Sequence, residues 1–460
     1  MERSDHVADD GPGPAEGRGA RREPRRGKHG SVREQDMTMM EQVLDRENLQ
    51  RAWQQVKSNA GAPGVDGMSV EDFPAFARAH WPRIRSALEE GAYCPAPVRR
   101  VYIPKPDGSE RPLGVPTVLD RMIQQALAQV LGPLFEGGFS DRSYGFRPGR
   151  SAHQAVRAVE AGWKEGRRHG VECDLKSFFD TVPHDRLMRQ LREKVRDRKV
   201  LGLIRRYLVA GVVLPDGTRE ATPLGVPQGG PLSPLLANIA LDPLDKELER
   251  RGHCFARYAD DFLVLVKSAK AAGRVLASLT RFVEGRLDLV VNRAKSRSGP
   301  LKTCAFLGFQ IGPRGHAVWT AKALSRFKER VREITRRSRG RRAQDVVDEL
   351  RRYVSGWVNY FGISQTYTVA AELAEWIRRR VRLYYWKQWK QPNTRRRHLL
   401  AMGISPEQAR MACTSHKGYW RMSGNSILQR ALTIHRLHEW GVPDLRTLWL
   451  ARQPGAWARV

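Results

Sequence analysis

The stretch that decides the fold is Phe255-Ala256-Arg257-Tyr258-Ala259-Asp260-Asp261-Phe262-Leu263-Val264-Leu265-Val266. Aromatic and β-branched residues on both sides favour strands, and Ala259-Asp260-Asp261 favours a tight turn between them. An exposed acidic turn would have the same three residues, but the apolar flanks predict a buried stem. Adjacent carboxylates repel each other unless a cation lies beside them. An acidic pair on a buried hairpin therefore favours Mg²⁺, a hard ion that binds oxygen ligands.

A second acid has similar surroundings. The segment Val171-Glu172-Cys173-Asp174-Leu175 runs from an apolar strand into a turn, with Asp174 at the strand end. Two strands that bring carboxylates to one sheet edge can form a two-metal site for nucleotidyl transfer. Asp174 together with Tyr258-Ala259-Asp260-Asp261 resembles the catalytic palm of reverse transcriptases. The resemblance implies that Asp174, Asp260 and Asp261 are catalytic and hold two Mg²⁺ ions, with the Leu175 carbonyl as a further ligand.

Composition limits the classes of partner. The chain has 460 residues, and 80 Lys and Arg against 49 Asp and Glu give a net charge of +31. This charge predicts a polyanionic partner, of which nucleic acid is the first candidate, although a merely basic enzyme would share it. Five scattered cysteines argue against a disulfide framework and against a zinc finger. No apolar run approaches the roughly 18 residues of a membrane span, so no membrane partner is expected.

A hairpin is predicted upstream, from Val98 to Gly114, around the turn Pro106-Asp107-Gly108. Its opposing strands would carry Lys105 and Arg111, either as a solvated pair of charges or as a binding pair. In reverse transcriptase fingers the matching basic residues grip the triphosphate of the incoming nucleotide. Arginine suits this task because its planar fork matches phosphate oxygens and stays charged.

Further nucleotide-binding residues come from the resemblance. Phe179 is expected to lie under the sugar and exclude a 2′-hydroxyl, while its neighbour Phe178 lies in the core; a core role for Phe179 is the alternative. The string Pro227-Gln228-Gly229-Gly230 before Ser233 matches a loop in which Gln228 contacts nucleotide and template. Lys295 matches a lysine near the triphosphate, although a surface lysine would look the same.

Template contacts are expected in two places. Met37 to Lys57 predicts one helix, and the Gly- and Pro-rich segment 59–67 after it predicts a loop with unusual backbone angles. This loop resembles the N-terminal extension of group II intron reverse transcriptases, which lies over the template, and Gly61 and Gly64 are assigned to it. Arg147 and Arg150 are expected to face the template backbone.

Beyond Trp319 long helical patterns carry many arginines, which suits binding a duplex through its backbone. Residues 353–361 resemble the thumb, or maturase X domain, of group II intron proteins. The C-terminal segment interleaves aromatics with basic residues, as nucleic-acid-binding domains do. No His-Asn-His nuclease signature follows, so the chain resembles the group IIC subclass.

The expected fold is an α+β right-hand polymerase: fingers, a palm with an antiparallel sheet, a helical thumb and a small helical C-terminal domain. The expected domains are a disordered basic tail (1–36), an N-terminal extension (37–97), fingers and palm (98–318), thumb (319–392) and C-terminal domain (393–460).

The resemblance implies a bacterial, cytoplasmic, RNA-directed DNA polymerase that copies intron RNA and assists its splicing. Its expected partners are intron RNA, the RNA template with its cDNA, target DNA and deoxynucleoside triphosphates. Two alternatives remain: a non-enzymatic splicing factor on the same scaffold, and a domesticated reverse transcriptase.

Overall fold

The computed structural model describes residues 37–104, 108 and 110–453. The expected disordered tail, residues 1–36, and Lys105 lie outside the described residues. Among the described helices, none is both long and apolar enough to cross a membrane.

Three helices open the described chain: α1 (Met39–Val43), α2 (Arg46–Asn59) and α3 (Phe73–Glu89). The single helix expected over Met37 to Lys57 is wrong, because the chain breaks before α2. There the Asp45 carboxylate accepts hydrogen bonds from the N–H groups of Glu47 and Asn48 and caps the new helix. Such a cap satisfies the free N–H groups of a first turn, so a short polar residue can end one helix and start another.

The expected hairpin is confirmed as β1 (Val98–Pro104) and β2 (Glu110–Val115), which pair antiparallel from Arg99 with Val115 to Pro104 with Glu110. The short strands β4 (Val212–Val213) and β5 (Arg219–Glu220) extend it into a fingers sheet of order β2-β1-β4-β5. The helices of this part of the chain are α4 (Val118–Glu136), α5 (Ala152–Lys164), α6 (Phe178–Thr181), α7 (His184–Lys194) and α8 (Arg198–Val209), of which α5 packs against the palm strand β6.

The palm sheet has the order β6-β7-β3-β8. Its strands are β3 (His169–Cys173), β6 (Cys254–Tyr258), β7 (Asp261–Val266) and β8 (Arg297–Pro300), and its helices are α9 (Ser233–Arg250) and α10 (Ala269–Arg286). Successive side chains of a strand point to opposite faces. Phe262 and Val264 accordingly join one buried core with the fingers helices, and Leu263 and Leu265 join a second core with the C-terminal helices.

Beyond β8 the elements of the described chain are helices apart from one small hairpin, β9 (Phe309–Ile311) and β10 (Ala317–Trp319). The helices are α11 (Ala321–Ile334), α12 (Ala343–Phe361), α13 (Tyr367–Gln388), α14 (Pro392–Ala401), α15 (Pro406–Cys413), α16 (Tyr419–Ser423), α17 (Ser426–Ala431), α18 (Ile434–Glu439) and α19 (Leu445–Leu450). The α+β right-hand fold is therefore confirmed, with a sheet whose two faces are both covered.

Candidate active site

The register of the palm sheet brings the two acidic motifs together. Strands β3 and β7 pair antiparallel with Cys173 opposite Phe262. The next residues, Asp174 and Asp261, therefore occupy the facing ends of adjacent strands, where Cα atoms are about 5 Å apart. Across the hairpin Tyr258 pairs with Asp261, which leaves Ala259 and Asp260 as the turn. Ala259 takes a positive φ of 58°, a strained conformation of the kind that functional sites retain.

The acidic residues sit in a repulsive environment. The pKa of Asp261 is raised to about 7. The main cause is desolvation of its carboxyl group by the surrounding protein, and the charges of Asp260, Glu172 and Asp174 add to it. Burial also raises the pKa of Asp260, and the Asp174 charge adds to it, while Arg111 opposes the shift. A cation placed beside Asp260 and Asp261 would offset the repulsion that these two residues experience.

The acidic residues form an incomplete set of ligands for a metal ion. Within the described part of the chain, no three His, Cys, Asp or Glu side chains converge into a ready metal cage. Mg²⁺ is commonly held by one or two carboxylates together with waters and substrate phosphates. Facing carboxylates on β3 and β7, with a third in the turn, fit that incomplete type of site.

The backbone after Asp174 supports the expected carbonyl ligand. The Asp174 carbonyl accepts from the N–H of Asn292, and the Lys176 N–H donates to the Val290 carbonyl, both at 2.8 Å. Leu175 is the residue between these two bonds, and it forms an isolated antiparallel bridge with Val291. In such a pair the middle residue turns its own N–H and C=O away from the partner strand. The Leu175 carbonyl is therefore directed away from the Val291 segment, which lies on the β8 side of β3.

A buried ion pair braces the acidic turn. Arg257 is fully buried, and its guanidinium donates to both carboxylate oxygens of Asp245, at 2.7 and 2.5 Å. It also donates to the Ala259 carbonyl at 2.9 Å and to Oδ1 of Asn238 at 3.0 Å. A charged group buried this deeply is costly unless it is fully paired. We conclude that helix α9 fixes the backbone of the turn through Arg257.

The same turn is packed from a second side. The Asn238 amide donates to the Gly145 carbonyl at 2.8 Å, and the Tyr144 N–H donates to the Arg257 carbonyl at 2.8 Å. A Cβ atom on Gly145 would lie 2.3 Å from the Ala259 nitrogen, so only glycine fits there. The segment around Gly145 is thus pressed directly against the acidic turn.

A cavity of about 1050 Å³, the palm cavity, opens beside Tyr258 and brings together residues of the fingers, the palm and the N-terminal extension. Arg111, Phe179 and Gln228 all line this cavity, and their contact with a nucleotide stays a prediction. Phe178 and Phe179 are both buried, but Phe179 is the one that borders the cavity.

Two glycines hold the Gln228 loop against the fingers. The Gln228 carbonyl accepts from the Gly114 N–H at 2.7 Å. Gly229 has φ of 124°, and a Cβ atom there would lie 2.4 Å from the Gly114 carbonyl oxygen. A Cβ on Gly230 would lie 2.2 Å from Oε1 of Gln124. Gly229 is therefore required for the close approach of the loop to the strand that carries Arg111, whereas Gly230 packs against the Gln124 side chain on α4.

Arg147 and Arg150, both expected to face the template, have different surroundings in the structure. Arg150 lines the palm cavity, where it pairs with the exposed Asp141 at 2.5 Å. The expectation for Arg147 is corrected: although it borders the cavity, its buried guanidinium pairs with Glu136 and donates to the Ser140 and Ser143 carbonyls. Its role here is to hold the preceding loop together. Lys295 is exposed and does not line the cavity, so its nucleotide contact stays a prediction.

The glycine-rich loop is fixed by two arginines. Arg121 donates to the Ala62 carbonyl at 2.9 Å, and Arg99 donates to the Pro63 carbonyl at 2.6 Å. Gly61 borders the palm cavity beside the Arg121 guanidinium, whereas a Cβ on Gly64 would lie 2.6 Å from the Thr117 Cα. The template contact of Gly61 therefore stays a prediction, and Gly64 is needed for packing on the start of α4.

Sequence reasoning missed Arg121 and the bracing set of Arg257, Asp245 and Asn238. The signal for Arg257 was present, since a charged residue inside an otherwise apolar strand demands a buried partner. Its partner lies 12 residues upstream on another element, which no local pattern reveals.

Comparison with known proteins gives two family matches. Residues 103–311 match the model described as reverse transcriptase (RNA-dependent DNA polymerase), and residues 324–403 match the group II intron maturase-specific domain. The first match contains the acidic turn, and the second runs from α11 into α14.

Parts of the chain are also similar to individual proteins. The chain is 36% identical to Protein YkfC of Escherichia coli (strain K12) over 276 residues, 52% of this chain and 72% of the relative. It is 41% identical to the group II intron-encoded protein LtrA of Lactococcus lactis subsp. cremoris over 196 residues, 42% of this chain but only 32% of LtrA. Among solved structures, a partial Cas6-RT-Cas1–Cas2 complex is 26% identical, covers 54% of this chain and 43% of its own, and has a TM-score of 0.36.

Proposed function

Because this chain belongs to the group II intron-encoded reverse transcriptase and maturase family, we propose that Asp174, Asp260 and Asp261 carry its polymerase chemistry. The chain is an RNA-directed DNA polymerase with a maturase domain, and its reverse transcriptase domain implies dependence on a divalent metal. The single observation that carries the proposal is the β3–β7 register, which sets Asp174 opposite Asp261.

The metal is Mg²⁺ in this proposal, with two ions held by the three aspartates, the Leu175 carbonyl and the phosphates of the nucleotide. Bound at this position, divalent ions supply charge neutralisation and a more acidic primer 3′-hydroxyl. The protein's own contribution is to hold the carboxylates at one edge of the sheet. The bracing by Arg257 keeps their spacing constant while the substrate enters and leaves.

The incoming deoxynucleotide occupies the palm cavity. Arg111 contacts the triphosphate, since its charge already acts on the acidic turn. Gln228 contacts the nucleotide and template, and Phe179 lies under the sugar. Lys105 and Lys295 complete the set of phosphate contacts, and Gly61 and Arg150 contact the template strand.

Nucleic acid, RNA included, is the partner that the family implies. The proposed specific partners are intron RNA, its cDNA duplex and target DNA, in a bacterial cytoplasm. The proposed domains are an N-terminal extension (37–97), fingers and palm (98–318), a thumb that assists splicing (319–392) and a C-terminal nucleic-acid-binding domain (393–460). A non-enzymatic splicing factor on this scaffold is not favoured, because all three acids are present.

Phe179 gives a direct test of the nucleotide pocket. We expect Phe179→Val to raise the use of ribonucleotides relative to deoxynucleotides by about tenfold to a hundredfold, because the space for a 2′-hydroxyl is opened. The measurement is primer extension on an RNA template with each nucleotide class, using wild type and variant side by side.

Phe146→Ala is the matched control, because Phe146 is an exposed aromatic of the same cavity. It should leave the discrimination ratio unchanged. An unchanged ratio of ribonucleotide to deoxynucleotide use in Phe179→Val would overturn the proposal that Phe179 excludes the 2′-hydroxyl. Absence of any extension by the wild type would overturn the proposed function itself.

A further inference from the structure

Three cations converge on one tyrosine at the junction of the thumb helices and the C-terminal helices. The Tyr419 ring centre lies 4.8 Å from the Arg337 guanidinium carbon, 5.1 Å from Nζ of Lys387 and 5.6 Å from the Arg395 guanidinium carbon. Arg337 follows α11, whereas Lys387 and Arg395 belong to α13 and α14, and Tyr419 begins α16. Four separate parts of the chain therefore build this cluster, which we call the Tyr419 cluster.

Acidic residues do not neutralise the cluster. Nearby arginines are paired: Arg330 with Glu333 and Glu349, and Arg341 with Glu349. In contrast, none of the three cations of the Tyr419 cluster has a carboxylate within ion-pair distance among residues 37–104, 108 and 110–453. Like charges held together in this way destabilise one another, and an anion would relieve the repulsion.

Arg395 also has a hydrogen-bond donor that no acceptor of the described chain uses. Its guanidinium carbon lies 4.6 Å from the centre of the buried Trp386 ring, so the side chain is held in place by packing. Its Nε atom is buried, and within the described part of the chain it has no hydrogen-bond partner. Buried donors are normally satisfied, so an unpaired one is evidence for a missing acceptor.

The phenol responds to these charges. Burial alone would raise the pKa of Tyr419, but hydrogen bonds and charges from Arg395 and Lys387 outweigh it and hold the pKa below its ordinary value. Two guanidinium groups, an ammonium and a hydroxyl match the oxygens of a phosphate group.

The next residue supplies an aromatic surface. Trp420 is 40% exposed, and the Arg379 guanidinium carbon lies 4.1 Å from the centre of its ring. An arginine on one face and solvent access elsewhere leave room for a nucleobase to stack. Tyr419 and Trp420 lie beyond both matched segments, 103–311 and 324–403.

We propose that the Tyr419 cluster binds a backbone phosphate of single-stranded RNA while Trp420 stacks on an adjacent unpaired base. The site is separate from the palm cavity and would hold an unpaired strand on the junction between thumb and C-terminal domain. The inference rests on RNA being a partner of the chain, but its test does not depend on polymerisation.

The test is equilibrium binding of a single-stranded RNA oligonucleotide over a series of salt concentrations. The double variant Arg337→Gln/Lys387→Gln should weaken binding about tenfold, and the slope of log affinity against log salt should fall by roughly 0.7 for each cation removed. Trp420→Ala should weaken single-stranded binding about tenfold and leave binding to fully paired RNA unchanged.

Arg274→Gln/Arg281→Gln is the charge-matched control, because both arginines are exposed on α10 behind the palm sheet. This control should lose clearly less RNA affinity than the cluster variant. Lys387→Arg keeps the charge and should retain binding, and thermal melting should show that all variants are folded.

Equal losses of RNA affinity in the cluster and control variants would show that RNA binds through the overall positive charge of the protein and would overturn the proposed site. Binding of inorganic phosphate that is lost in the cluster variant, together with unchanged RNA affinity in that variant, would instead assign the cluster to a free phosphate. Primer extension by the wild type is measured separately, so a failure of polymerisation would leave the affinity comparison standing.

Discussion

Replacing Asp260 with alanine should lower deoxynucleotide incorporation on a primed RNA about a thousandfold or more. Loss of one metal-binding carboxylate removes several kcal/mol of stabilisation from the charge that develops in the transition state. Primer extension under single-turnover conditions measures the effect. RNA affinity should stay close to that of the wild type, because Asp260 carries no positive charge.

The folded state of the Asp260→Ala variant should be at least as stable as that of the wild type, because one member of a repelling carboxylate pair is removed. Asp216→Asn is the matched control, since Asp216 lies in an exposed turn of the fingers and caps only the Thr218 N–H. It should polymerise normally. Nucleotide incorporation at the wild-type rate by Asp260→Ala would contradict the proposal that Asp260 binds a catalytic metal ion.

Removal of the Asp245 carboxylate should be the most destabilising single change in the palm. In Asp245→Ala the fully buried Arg257 keeps its charge and loses both of its carboxylate contacts. Breaking a buried pair in this way costs about 3–5 kcal/mol. We expect a large fall in the denaturant midpoint, together with weak polymerase activity, as measured by denaturant unfolding and primer extension.

A double variant separates stability from positioning. Replacing the pair by apolar residues, Asp245→Leu/Arg257→Met, removes the uncompensated charge and should recover much of the lost stability. The Ala259 carbonyl and Asn238 still lose their donor, so the turnover number should remain low. If the double variant recovered both its stability and the full turnover number, Arg257 would stabilise the palm without positioning the turn.

Local patterns predicted the parts of the fold that local physics controls. The apolar strands around Asp260 and Asp261 and the strands Val98–Pro104 and Glu110–Val115 each depend on neighbouring residues, and the structure contains both pairs of strands. The approach of Asp174 to Asp261 is not local: it depends on the pairing of β3 with β7, whose register places Cys173 opposite Phe262.

Other features depend on contacts that no window of sequence contains. Arg147 has the composition of a phosphate ligand, yet three carbonyl groups and Glu136 take up its donors. Gly64 was expected to belong to a loop over the template, but its lack of a side chain serves packing against Thr117. In both cases the tertiary partner, and not the residue type, decides the role.

The most direct test of the metal site is Mn²⁺ binding followed by electron paramagnetic resonance. Mn²⁺ takes the same oxygen ligands as Mg²⁺, and a primer without a 3′-hydroxyl keeps the nucleotide-bound complex from reacting. Wild type and Asp216→Asn should bind Mn²⁺ equally, whereas Asp174→Asn and Asp261→Asn should each weaken binding about tenfold or more. Unchanged Mn²⁺ affinity in Asp174→Asn would contradict the claim that β3 and β7 hold the ion between them.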